Sequence, residues 1–145
     1  MPAPNRLRHW QRLLGDLAGL TLLGSGGLWL LVHYAWGAGS GELPHPLEAW
    51  MMRLHGLAVM AALFVFGSLA AGHVPRGLRI THGRRGRRQR HLGITLGALA
   101  SLLVASGYLL YYFTPETWRA ALGTAHSAAG VLMAAVLVWH RRRRV

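Results

Sequence analysis

The chain contains no cysteine. That excludes disulfides, thiolate metal sites and thioether attachment of a haem. Any metal must therefore rest on histidine, methionine or carboxylate. Carboxylates are scarce, since Asp16, Glu42, Glu48 and Glu116 are the only four acids. Lysine is absent, and arginine alone supplies the positive charge. No phosphate-binding loop, nucleophile elbow or zinc-protease histidine pair occurs anywhere, so the common soluble-enzyme chemistries have no foothold.

What remains is apolar and basic. Over 145 residues the chain is 52% hydrophobic and carries a formal net charge of +12. In a soluble protein such a charge would suggest nucleic acid. Here the arginines are segregated between long apolar runs, which points to membrane lipid and away from nucleic acid. Four apolar stretches, at about 13–36, 50–74, 91–113 and 117–140, each approach the roughly 20 residues that a spanning helix needs, and the helices are expected at about 13–36, 47–74, 91–113 and 116–140. The expected fold class is all-α: an integral membrane four-helix up-and-down bundle forming a single domain over residues 1–145. The first stretch is too long for the apolar part of a signal peptide.

Arginines cluster at Arg6, Arg8 and Arg12, from Arg76 to Arg90, and at Arg141 to Arg144. By the positive-inside rule the N-terminus, the C-terminus and the middle loop are cytoplasmic. Trp36, Trp50 and Trp118 then form an outer aromatic belt, and Trp10 and Trp139 an inner one. The outer loop Gly37–Pro46 reads as a tight connector. The second helix is expected to open at Pro46, with Glu48 in its first turn, and to close at Pro75. Pro75–Arg90 reads as a polybasic hinge attracted to anionic lipid.

Two histidines stand in the middle of apolar helices: His55 in the second and His126 in the fourth. A polar side chain at that depth is costly and marks a functional site by default. Both helices run inward from the outer face, and the two residues lie within about 3 Å of the same depth at 1.5 Å rise per residue. Bundles build cofactor sites from facing side chains in this way. A haem iron, with His55 and His126 as axial ligands, is the partner this pair suggests. Small residues at the same level, among them Gly27, Gly56, Gly107 and Gly130, leave space for a porphyrin; ordinary helix packing in membranes recruits the same residue types. Arg119 precedes His126 by seven residues, close to two turns. On that face it can pair with haem propionates.

An inner pair is less distinctive. His73 follows His55 by 18 residues and His140 follows His126 by 14, so each helix carries a second histidine on roughly the same face. They suit a second haem iron, yet helix ends favour histidine for their own reasons. His9 and His91 are reserve ligands at that level. His33 reads as an interfacial anchor or a quinone contact, and His45 as a loop residue able to meet propionates or a partner. His82 belongs to the basic loop. Asp16 can pair with Arg12, with a proton or quinone role as the alternative. Tyr108, Tyr111 and Tyr112 read as belt residues, and Met51, Met52, Met60 and Met133 as packing.

Several short motifs resemble one family. Arg8-His9-Trp10 before a glycine-rich helix, Leu54-His55-Gly56 running on to Gly72-His73-Val74, and His126 with thirteen residues before His140 resemble bacterial cytochrome b561-like and hydrogenase-type cytochrome b subunits. Ser106-Gly107-Tyr108-Leu109-Leu110-Tyr111-Tyr112 is similar to small four-helix bacterial proteins grouped near them. The resemblance implies one or two b-type haems held by histidines in the inner membrane. It further implies electron transfer between the quinone pool or a partner subunit and a periplasmic redox protein. Two other readings stand beside it: a cofactor-free anchor or assembly subunit of a larger complex, and a small proton or metal transporter using His55, His126 and Asp16.

Overall fold

The computed structural model describes residues 8–80 and 83–142, and, of the side chains in that range, all except 73, 74, 76–80 and 83–86. Four long helices dominate: α1 (His9–Trp36), α2 (Pro46–Ile80), α3 (Gly83–Tyr112) and α4 (Glu116–Arg142), with a short 3-10 turn at Ala38–Ser40. No strand occurs among the described residues. Each of the four helices is long and apolar enough to cross a membrane. An α-helix suits that task because it satisfies its own backbone groups where no water is available.

All four helices overrun the expected apolar limits. α1 begins at His9, α2 runs through Pro75 to Ile80, and α3 already starts at Gly83. Pro75 therefore does not end α2, and the expected hinge is largely helical. Hydropathy marks the lipid-crossing part of a helix and not its ends. The flanking arginines are good helix formers and carry the turns onward. Proline removes one backbone donor and crowds the preceding turn, at a cost that a long helix can absorb as a local bend.

The chain divides into two compact units, one reaching to Arg76 and one starting at Gly77. The first is an antiparallel hairpin of α1 and α2. Gln11 Nε2 donates to Ser68 Oγ (3.1 Å), Trp10 lies 5.8 Å from Phe64 between ring centroids, and Gly15 faces Val65. The α1 seam follows Gln11, Gly15, Ala18, Leu22, Ser25, Trp29 and Val32, all buried or half-buried. This alternation of four and three residues is the spacing of left-handed helix pairing. The second unit pairs α3 with α4 in the same manner. Its α3 seam runs Leu92, Leu96, Leu99, Leu103, Ser106 and Leu110, all at least half-buried. Leu103 meets Gly130, and the Arg88 guanidinium lies 5.7 Å from the Trp139 ring.

Few apolar side chains are enclosed; Ala18, Val32, Ala58 and Val65 are the buried ones among the described residues. Leu20, Leu57, Met60, Phe64 and Val131 lie far more open, each at least 65% exposed. Hydrocarbon solvates such surfaces as well as a protein core does, so helix pairing in lipid relies on close packing and hydrogen bonds.

Candidate functional site

In the first hairpin, His55 lies half-buried on α2 against the Ser25-Gly26 step of α1. Its Nδ1 is 3.0 Å from Ser25 Oγ. A Cβ placed on Gly26 would stand 3.4 Å from its Cε1, in ordinary contact, so the ring lies against the α1 backbone with room for little more than a methyl group. Ser25 is only 3% exposed, and its hydroxyl donates to the backbone carbonyl of Thr21 at 2.6 Å, with that of Leu22 at 3.3 Å.

The second hairpin repeats the arrangement. His126 lies half-buried on α4 against Ser106-Gly107 of α3. Its Nδ1 is 2.8 Å from Ser106 Oγ, whose hydroxyl donates to the Leu103 carbonyl at 3.3 Å. A Cβ on Gly107 would again stand 3.4 Å from the imidazole Cε1. Ser106 is 7% exposed. Each hairpin thus seats one histidine of its second helix on a Ser-Gly step of its first.

Of the glycines expected to make room, Gly107 lies directly beside His126, and Gly130 packs against Leu103. Around Gly27 and Gly56 a Cβ would meet nothing within 4 Å; the glycine beside His55 is Gly26. Composition distinguishes neither Ser25 nor Ser106 from the other small residues of the helices. A faint repetition pointed to them: Arg8-His9, Leu14-Gly15 and Leu17-Ala18 recur 82 residues on as Arg90-His91, Leu96-Gly97 and Leu99-Ala100, and Ser25-Gly26 recurs one residue out of that register as Ser106-Gly107. Self-similarity of this kind marks a repeated structural unit.

Arg119 pairs with Glu116 at 3.0 Å and donates to the Thr114 carbonyl. Both members of the pair are largely exposed, where such contacts contribute little to stability. His140 is buried, at 7% exposure. The side chain of His73 and the whole of His82 lie outside the described residues, as do Arg6, Arg143 and Arg144. His9 and His91 are exposed. No group of three or more potential metal ligands occurs among the described residues; a haem needs only two axial side chains.

A second polar cluster closes the α1–α2 end. His33 Nδ1 lies 2.8 Å from Glu48 Oε2, and Glu48 Oε1 accepts from the backbone amides of His45 (3.0 Å) and Ala38 (3.3 Å). His45 Nδ1 in turn accepts from the Leu47 amide at 3.2 Å. His45 and Glu48 together satisfy orphan amides at the start of α2, in the reciprocal manner of a capping box. Trp29 stacks on His33 at 4.5 Å between centroids. Glu48 is therefore a clamp on the connector as well as a first-turn acid, and His33 and His45 have structural employment.

No family model matches the chain, and no curated protein or solved structure matches it.

Proposed function

We propose that the protein is a membrane b-type cytochrome in which His55 and His126 are the axial ligands of one haem. The observation that carries this reading is the repeated Ser-Gly seat. Two imidazoles in apolar helices are each anchored through Nδ1, an arrangement that orients the opposite ring nitrogen as a donor. Metal-ligating histidines are held in this way, with the second ring nitrogen engaged by an outer partner. The donor set fits the group, since two neutral imidazoles form the axial pair of a low-spin haem.

When bound, such a haem supplies one-electron transfer, and with both axial positions filled it has no place for oxygen. The protein's own residues orient and insulate it. The apolar faces of the helices exclude water. Ser25 and Ser106 keep the rings from rotating, and Gly26 and Gly107 admit them close to the backbone. The Arg119 guanidinium, exposed near the start of α4, is available to exchange Glu116 for a haem propionate. His73 and His140 are the candidate ligands of a second haem.

The arginine distribution supports an up-and-down crossing with both termini cytoplasmic; the reading places the chain in a bacterial inner membrane. Electrons would pass between the quinone pool or a partner subunit and a periplasmic redox protein. The deciding experiment is spectroscopic. Chain purified from haem-replete cells should show a Soret band, with sharp α and β bands on reduction. His55→Ala and His126→Ala should each abolish them. A colourless wild-type preparation would replace this reading with that of a cofactor-free membrane anchor or a small transporter.

A further inference from the structure

The serine at each seat has only one proton. At Ser25 that proton points to the backbone, because an oxygen–oxygen separation of 2.6 Å to the Thr21 carbonyl is repulsive unless a hydrogen lies between. A carbonyl cannot donate. Ser25 Oγ is then left with lone pairs only for the imidazole 3.0 Å away. The proton in that contact must come from the histidine, and His55 Nδ1–H donates to Ser25 Oγ. Ser106 has a longer contact to its own helix, the Leu103 carbonyl at 3.3 Å, and a shorter one to His126 Nδ1 at 2.8 Å, so its proton is assigned by likeness to Ser25 and not by distance. In a neutral imidazole a proton on Nδ1 leaves the lone pair on Nε2.

We infer that Ser25 and Ser106 are positioning residues: each uses a helix carbonyl to orient its hydroxyl and so holds its histidine as the Nδ1–H tautomer, presenting Nε2 as the ligating nitrogen. The inference rests on the haem reading for its purpose but not for its geometry. The device occurs once in each hairpin, and it makes the two ligands chemically alike. It also sets their strength. An Nδ1–H that donates to an oxygen makes the imidazole a better electron donor to iron. Neither serine touches the iron, so each acts only through its histidine.

The test uses the full chain with 15N-labelled histidine, in lipid nanodiscs, with and without haem. In haem-free wild type, His55 and His126 should both show ring resonances of the Nδ1–H tautomer. Ser25→Ala should shift His55 to a tautomer mixture and leave His126 unchanged; Ser106→Ala should do the converse. The untouched hairpin thus controls for general misfolding, which would move both rings. Ser25→Thr and Ser106→Thr keep the hydroxyl and should restore the wild-type pattern. With haem, each alanine variant should weaken binding by about 10–100-fold, the usual effect of removing an outer partner, and should raise the midpoint potential. Nε2–H resonances in the wild type, or alanine variants with unchanged rings and potential, would overturn the inference. A wild-type chain that binds no haem removes the cytochrome reading, while the ring resonances still decide this one.

Discussion

At the scale of single residues, the polar groups at the two histidine seats and at Glu48 each have a partner. His55 and His126 are held by serines that are themselves anchored to backbone carbonyls. Glu48 shows the same economy: one carboxylate engages His33 and two backbone amides. Leaving such donors buried without an acceptor costs about 1–3 kcal/mol. Glu48→Ala should therefore destabilise the first hairpin by about that amount, seen as a lower thermal midpoint by circular dichroism, with the second hairpin's His126 resonances unmoved. Gly41 sits at φ +88° where the 3-10 turn ends. An L side chain there costs about 1–2 kcal/mol, so Gly41→Ala should lower the same midpoint without altering any histidine signal.

The helices carry the next level of argument. Gly26 and Gly107 admit a methyl group at ordinary contact distance from the imidazoles, 3.4 Å in both cases. A branched side chain has no such room. Gly26→Val and Gly107→Val should displace the rings and abolish the haem spectrum, whereas Gly27→Val, with open space around its Cβ, should retain it. Equal loss in all three variants would show that these glycines serve helix flexibility and not the histidine seat. The helix ends teach a different lesson. Apolar runs located all four elements within a few residues at the ends next to Gly37–Pro46 and Phe113–Pro115, because the composition changes abruptly there. They missed the opposite ends, where α2 passes Pro75 and α3 starts at Gly83. Arginine is polar by hydropathy and helix-forming by backbone preference, so the two signals separate there.

For the whole molecule, the absence of cysteine makes orientation directly measurable. Glu42→Cys and Thr117→Cys should react with an impermeant thiol reagent from the periplasmic side. Arg90→Cys and Arg142→Cys should react only after the cytoplasmic face is opened. All four positions are exposed. The reverse pattern would invert the topology assigned from arginine. Haem stoichiometry belongs to this scale as well: pyridine haemochrome per chain distinguishes one haem from two, and a His73→Ala/His140→Ala chain that still holds two would remove the inner ligand pair.

The sequence by itself determined that the helices are long and apolar enough to cross a membrane, and singled out His55 and His126, because apolar length and a polar residue within an apolar run are properties of the chain alone. It also contained the Arg-His, Leu-Gly and Ser-Gly repeat, spread too thinly for composition or periodicity to expose. Only the tertiary structure decided which neighbours each histidine has. Ser25 lies 30 residues from His55, and Ser106 lies 20 from His126. Those separations differ because the connectors differ in length and because Ser25 lies farther from the end of its helix than Ser106 does, and antiparallel packing alone brings each hydroxyl to its ring. The same packing took Gly27 and Gly56 away from the imidazoles, put Gly26 and Gly107 against them, and gave Glu48 its loop to clamp. A hydrogen bond is set by distances of a few tenths of an ångström, and those follow from the register between helices, which no single helix specifies.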